Sequence, residues 1–192
     1  MTDAPYCGWA PLNDKLYRDY HDEEWGVPER DGRALWEKLQ LDGMQAGLSW
    51  ITILRKRESI REEFDGFDPE RLVRWTPKRI EKALQNPGII RSPKKIEATI
   101  GNARAYLDMA EAGEDFSAYC WDWVGGAPIV NSWKDFRKAP TFTDWSTAVS
   151  KDLKKRGFKF VGPTIVYAWA QAVGMVNDHE IHCPRHSAVQ RT

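Results

Sequence analysis

A chain of 192 residues with 28 Lys plus Arg balanced by 28 Asp plus Glu is long enough for a substantial core, and its net charge gives no global push toward a polyanion. Any nucleic-acid contact must come from local basic patches and backbone amides. Three widely spaced cysteines exclude a disulfide framework, and no apolar run or leader segment marks a membrane protein, so a soluble, cytoplasmic chain is expected.

Residues 1–30 read as an irregular but ordered arm. It carries Trp9, Tyr17, Tyr20, His21 and Trp25, which a floppy terminus would not keep, so the arm should pack back on the body. Asp31 caps a helix through Leu35, Trp36, Leu39 and Leu41. The stretch Leu41–Trp50 follows and organises the chain. It holds one carboxylate (Asp42), the small residues Gly43, Ala46 and Gly47, and Trp50. Leu48, Ile51 and Leu54 recur at helical spacing and Arg55 to Glu58 form the wet end, so the stretch is expected to be mostly buried. Asp42 is then either the N-cap of this helix or a carboxylate among apolar neighbours that needs a partner.

Asp68-Pro69 starts a short helix. Thr76-Pro77 is an N-cap with proline at the first helical position, leading Ile80, Ala83 and Leu84, and Asn86-Pro87-Gly88 stops it. Ser92-Pro93 repeats the signal, and an amphipathic helix follows through Ile96, Ile100, Ala103, Tyr106 and Leu107 to Gly113. Two helices joined by the turn Pro87–Arg91 make a helix-hairpin-helix over residues 77–110. Gly88 should permit an unusual backbone angle, so that the N–H groups of Gly88, Ile89, Ile90 and Arg91 converge on one phosphate. Ile89 and Ile90 would plug the turn into the core, and Arg91, Lys94 and Lys95 would add positive charge. An ordinary helix connection is the alternative.

A short aromatic helix (Tyr119, Trp121, Trp123) and a Gly- and Pro-rich connector fill residues 117–142. Thr143 caps a helix with Ala148, Val149 and Leu153, which Gly157 ends; an apolar helix spans 164–173, and the last eight residues read as a tail. Strand patterns are scarce and no linker divides the chain. The expected fold is all-α, a single domain over residues 1–192 with two helical lobes.

Three constellations carry chemistry. Cys7, His21, His179 and Cys183 offer the donors of a tetrahedral zinc site. His179-x3-Cys183 puts two side chains on one face of a helical turn. A metal there would staple residues 1–30 to 175–187; His182 and His186 are rival ligands, unrelated buried cysteines are the plain alternative, and Cys120 is read as a buried hydrophobe. The hairpin is the second. The third is the ring set Trp9, Tyr17, Tyr20 and Trp50 around Asp42, a slot for a flat purine whose amino edge meets the carboxylate, or else core packing. The run Lys151, Lys154, Lys155, Arg156 and Lys159 is either a second phosphate contact or a solvated face.

These residues also fall into motifs: Cys7-Gly8-Trp9, Tyr20-His21-Asp22-x-Glu24-Trp25-Gly26-Val27-Pro28, Gln45-Ala46-Gly47-Leu48-Ser49-Trp50-Ile51-Thr52, Gly88-Ile89-Ile90-Arg91, Gly101-Asn102-Ala103-Arg104-Ala105-Tyr106, Lys154-Lys155-Arg156-Gly157-Phe158-Lys159-Phe160-Val161-Gly162 and Val176-Asn177-Asp178-His179. Through them the chain resembles the bacterial DNA-3-methyladenine glycosylase I enzymes from Cys7 to Cys183. The resemblance implies a helix-hairpin-helix DNA repair fold and release of 3-methyladenine from alkylated double-stranded DNA. It implies a structural Zn²⁺ on Cys7, His21, His179 and Cys183, and a base pocket of Trp9, Tyr17, Tyr20, Asp42 and Trp50. Gly88, Ile89, Ile90, Arg91 and Lys94 would hold DNA phosphate. Asp42 would recognise the base first and serve catalysis second. Two departures stand out: position 42 is typically Glu in the family, and the arm carries one extra residue between Cys7 and Tyr17. The shorter carboxylate leaves two other readings, a shifted alkylbase preference and a reader of alkylated DNA that does not cut. A monomer without protein partners is expected.

Overall fold

The structure, a computed structural model, describes residues 6–11 and 13–191. The expected ends of the arm and tail, residues 1–5 and Thr192, lie outside the described residues, as does Leu12. Among the described residues ten α-helices and two very short strands follow one another: α1 Lys15–Asp19, α2 Gly32–Gln45, α3 Trp50–Glu63, α4 Pro69–Leu72, α5 Pro77–Ala83, α6 Pro93–Glu111, α7 Phe116–Asp122, β1 Ile129–Val130, α8 Asp144–Lys155, α9 Pro163–Ala172, β2 Val176–Asn177 and α10 Pro184–Ala188. The strands add a feature the sequence pattern did not suggest: β1 and β2 pair in parallel, Ile129 opposite Val176 and Val130 opposite Asn177. Two residues are too few for an alternating pattern to show.

The start signals act as anticipated. Asp31 accepts from the Ala34 amide, Thr76 from the Arg79 amide, and Thr143 forms a capping box with Ser146, each closing orphan N–H groups of a first turn. Helix α2 is the central element and packs on α3, α6, α7 and α9. Its Leu35, Trp36 and Leu39 are fully buried, with Trp169 of α9 against them; the Trp169 indole donates to the Leu35 carbonyl at 3.0 Å. Around α3 and α4, Phe64 stacks on both Phe67 and Trp75.

The tail reading is corrected. Residues 184–191 form α10 and a closing 3-10 turn, and Val189 is buried. Pro184 opens that helix, where its missing N–H costs nothing. The arm is ordered, and more regular than its sequence suggested. Asp14 caps α1 and also takes a 2.8 Å bond from Arg55 of α3. A π-helical turn, Tyr20–Glu24, follows directly, and Arg57 grips Glu24 with two guanidinium nitrogens.

Candidate active site and metal centre

The arm, the end of α2, the start of α3, α9 and the segment after β2 enclose a cavity of about 250 Å³. Its wall includes Trp9, Tyr17, Tyr20, Trp25, Asp42 and Trp50. All five residues expected in a base pocket therefore meet at one cavity. The rings form a chain: Trp9 and Tyr17 lie 5.8 Å apart, Tyr17 and Tyr20 6.5 Å, Tyr20 and Trp50 5.2 Å. Among the described residues the indole N–H groups of Trp9 and Trp50, like that of Trp36 in the core, are buried without hydrogen-bond partners, and a buried unsatisfied donor calls for an explanation.

Asp42 is not an N-cap. It lies in the last turn of α2, and α3 starts only at Trp50 with Ser49 before it. The apolar periodicity of residues 48–54 ran through a chain reversal. There Gly47 takes a left-handed conformation at φ +76°, open to glycine and unfavourable for side chains, and Gly47, Leu48 and Ser49 are exposed. The carboxylate itself is buried, as expected, and has a partner: Lys38, one turn earlier, donates to its Oδ2 at 2.7 Å. Among the described residues Oδ1 and the Tyr20 hydroxyl have no hydrogen-bond partner. Burial pushes the Asp42 carboxyl up and the Lys38 ammonium down, and each opposes the shift of the other. Burial, with the charge of Asp42 next, holds the Tyr20 phenol well above its usual range and hence protonated.

Sequence reasoning missed part of the wall. Gln45, Phe136, Ala139, Ala168, Gln171 and Asp178 also line it. Asp178 is a buried hub: Asn131 and Trp133 donate to one oxygen, Tyr167 and Gln171 to the other, at 2.6–2.8 Å. With both oxygens occupied it orients its neighbours, while Asp42 keeps one oxygen free. Gln45 and Asp178 stand inside quoted sequence motifs, and the four-residue spacing of Lys38 and Asp42 signals their pairing.

Beside the cavity, Cys7, His21, His179 and Cys183 are all buried, with one donor atom from each within 4.8 Å of the others. Cys7 Sγ lies 3.4 Å from His179 Nδ1, and Cys183 Sγ lies 3.7 Å from His21 Nε2 and 3.9 Å from His179 Nδ1. Bonds of about 2.3 Å to sulfur and 2.0 Å to nitrogen in a tetrahedron give separations of this size. The remaining ring nitrogens are engaged: His21 Nδ1 pairs with Asp22 at 2.8 Å, and His179 Nε2 with the Trp25 carbonyl at 2.9 Å. Outer partners of this kind orient metal-binding histidines. The Glu180 amide donates to Cys7 Sγ, and hydrogen bonding, led by the Cys7 thiol, draws the Cys183 thiol far below its usual range. The donor set thus fits Zn²⁺. Gly26, at φ +81°, lets the Trp25 carbonyl reach the ring, since a Cβ there would sit 2.8 Å from His179 Nε2.

His179 and Cys183 do not share a helical turn. They flank an irregular turn closed by the Cys183 amide on the Glu180 carbonyl. His182 is exposed toward the Tyr6 carbonyl and His186 bonds the Asn131 carbonyl, so neither joins the cluster. Cys120 is a buried hydrophobe, as read.

The α5–α6 connection departs from expectation at Gly88. Its φ is not positive, and its amide is already bonded to Asn86 Oδ1 at 2.8 Å. Glycine is needed there for space, because a Cβ would meet Asn86 Oδ1 at 2.9 Å and Ser59 Cβ at 3.0 Å. Ile89 is buried and Ile90 half-buried. Among the described residues the amides of Ile90, Arg91 and Lys94 have no protein acceptor, and the Arg91 and Lys94 side chains are exposed. Lys95 is not free. Its ammonium donates to the Met44 and Ala46 carbonyls at 2.7 Å each. In the other basic run, Arg156 is likewise held by Asp152 and Glu114, while Lys151, Lys154, Lys155 and Lys159 are exposed.

Comparison with known proteins is consistent across sequence and structure. Residues 9–186 match the methyladenine glycosylase family model. A DNA-3-methyladenine glycosylase of Haemophilus influenzae is 51% identical over 178 residues, 93% of this chain and 96% of the relative. DNA-3-methyladenine glycosylase 1 of Escherichia coli is 51% identical over 92% of this chain and 94% of its own. A crystal structure of a 3-methyladenine DNA glycosylase I superposes with a TM-score of 0.92 at 50% identity, covering 94% of this chain and 98% of that one. A Staphylococcus aureus 3-methyladenine DNA glycosylase I superposes with a TM-score of 0.90 at 37% identity, covering 94% and 96%. No helix among the described residues is long and apolar enough to cross a membrane. Over nearly its whole length, the chain belongs to the methyladenine glycosylase family.

Proposed function

We propose that this chain releases 3-methyladenine from alkylated DNA, as its relatives' names state of them, and that the aromatic cavity around Asp42 receives the extruded base. The observation that carries the assignment is Asp42 itself, a buried carboxylate with one oxygen unpartnered among the described residues, in a cavity lined by six aromatic side chains. Adenine methylated at N3 is cationic. Ring faces attract a cation, and Asp42 Oδ1 can accept from its amino edge, with the protonated Tyr20 hydroxyl beside it. Cleavage moves the bonding pair of the N-glycosidic bond onto the base, which leaves neutral. Positive charge builds on the sugar until water adds there and gives up a proton. The base needs no acid to leave, so binding and extrusion make up most of the enzyme's task, and any transition-state role of Asp42 is electrostatic.

The α5–α6 connection acts as a helix-hairpin-helix over residues 77–110. The Ile90, Arg91 and Lys94 amides, with the Arg91 and Lys94 charges, cradle a phosphate; Gly88 and Ile89 give it shape and anchorage. Leu48, exposed at the reversal between two lining residues, is placed to enter the space the base vacates. Cys7, His21, His179 and Cys183 hold a Zn²⁺ whose four positions are filled by protein, so it supplies cohesion between residues 1–30 and 175–187 within one domain.

Single-turnover release of free bases from methylated duplex DNA, resolved by chromatography, tests this reading. Wild-type protein releases 3-methyladenine, and Asp42→Asn loses at least about tenfold in rate, the low end for one hydrogen bond to a charged group. Full rate in Asp42→Asn refutes the pocket. DNA bound with no base released turns the reading toward a damage reader.

A further inference from the structure

A cation stands against the pocket proposed for a cationic base, from a neighbouring cavity whose wall it shares with Tyr20. Lys38 Nζ lies 2.7 Å from Asp42 Oδ2, 4.1 Å from the centre of the Trp50 ring and 5.9 Å from that of Tyr20. Its side chain is 14% exposed and that of Asp42 3%. The contact is no surface pair, which would be screened and weak. Two of the rings assigned to the base flank an ammonium placed by the helix carrying the recognition carboxylate.

Other charges near the pair are engaged elsewhere. Arg57 of α3 is bonded to Glu24 of the π-helical turn, Asp178 across the cavity is saturated by four donors, and Tyr17 and Tyr20 are phenols raised by burial and so uncharged. Lys38 is therefore the one cation bonded to Asp42 among the described residues. A buried carboxylate without a cation takes up a proton, because desolvation penalises its charged form. Protonated Asp42 would offer a donor where the amino edge of the base needs an acceptor.

We propose that Lys38 is a positioning and specificity residue of this site: its ammonium keeps Asp42 ionised and occupies Oδ2, leaving Oδ1 for the base. Its charge against Trp50 reduces the preference of the pocket for a cationic base over a neutral base of the same shape. The second effect follows from the first arrangement. A base drawn to the ring faces by its charge meets a like charge already on one of them, whereas a neutral base meets none. The inference rests on the pocket reading above and deepens it.

The test compares Lys38→Met and Lys38→Arg with wild type. Release of 3-methyladenine is followed from pH 5.5 to 8.5, and binding of free 3-methyladenine and of a permanently cationic dimethyladenine is followed by tryptophan quenching. Wild type and Lys38→Arg share one pH profile. Lys38→Met gains an acid limb at higher pH than any in wild type and recovers as the pH rises further, as its Asp42 releases the proton. On that plateau its preference for the cationic over the neutral base rises at least about tenfold, the scale of a unit charge as far as roughly 12 Å away in a medium of effective dielectric about 20. An unchanged profile and unchanged preference in folded Lys38→Met overturns the proposal. If Lys38→Met does not fold, Lys38→Gln takes its place under the same criteria. Failure of the pocket itself has a separate signature, full activity in Asp42→Asn, which removes both readings. Loss of activity in Asp42→Asn alongside an unaltered Lys38 variant overturns the role of Lys38 alone.

Discussion

Two adjacent lysines at the start of α6 should behave in opposite ways. Lys95→Met removes an ammonium that donates to two carbonyls at the end of α2, Met44 and Ala46. Those carbonyls belong to a helix C-terminus and have no intrahelical donor. Lys95 is half-buried, and burial pushes its ammonium down; two charge-assisted bonds would contribute at least about 3 kcal/mol if fully buried, and solvent screening at this depth reduces that to about 2 kcal/mol together. For a chain of this size that is a fall of about 4–8 °C in Tm. Lys94 is exposed and bonds no protein acceptor among the described residues. Lys94→Met should melt like wild type but lower the slope of log affinity against log salt by about one. Thermal melts and DNA-binding anisotropy over a salt series measure both. A Lys95→Met protein that melts like wild type while losing as much salt slope as Lys94→Met would refute the division of labour.

Elemental analysis of protein purified without chelator should find one zinc per chain. Cys183→Ser should abolish it and lower Tm; a metal-free wild type with normal stability would exclude the metal site. Ile89→Ala should cost about 3 kcal/mol, since Ile89 is 3% exposed and such truncations leave a cavity; urea melts monitored by circular dichroism measure it. Glu63 takes hydrogen bonds from Arg79 and Asn86. They outweigh the opposing effect of burial and hold its carboxyl below 4.5. A carboxylate depressed in the folded state stabilises above its unfolded pKa and loses that contribution as pH falls through the folded value. Tm of wild type should therefore drop more steeply than that of Glu63→Gln between pH 5 and pH 3; parallel curves would contradict this.

Local rules made the helices legible. Asp31, Thr76-Pro77, Ser92-Pro93, Thr143 and Gly157 each act within a few residues of themselves, and the elements they bound appear where those signals put them. The reading failed where apolar spacing continued across a break. Leu48, Ile51 and Leu54 have helical period, but nothing in that period records that Gly47 reverses the chain, so it leaves Asp42 open as a cap or as a partnered carboxylate, of which the second holds. Gly88 was misread for a related reason: a glycine in a turn signals either a left-handed angle or a lack of room, and only the position of Ser59, far along the chain, distinguishes them. Lys95 carried the same sequence signal as Lys94; its partners at Met44 and Ala46 are contacts the sequence does not encode locally. The four-residue Cys/His cluster was legible by residue chemistry, although its geometry arises from a turn rather than a helix.

The cluster and the cavity are built from the same strips of backbone. Tyr20 faces the cavity and His21 the cluster; Asp178 lines the cavity and His179 joins the cluster; Cys7 and Trp9 divide likewise across one intervening glycine. Trp9 lies edge-on to both His21 and Trp25, at 5.2 and 4.7 Å. Cys7 and Trp9 part at the turn that begins at Gly8, and Tyr20 and His21 are neighbours in the π-helical turn Tyr20–Glu24, where successive side chains leave the backbone in different directions. Such π-helical turns recur at functional sites. Constraining the cluster therefore constrains three walls of the cavity at once. The fourth wall, Asp42 and Trp50, is set by α2 and α3 and by Lys95 at the end of α2. Trp9 needs such an anchor most, because the backbone around it is non-helical and lacks the continuous helical bonding that fixes Asp42 on α2.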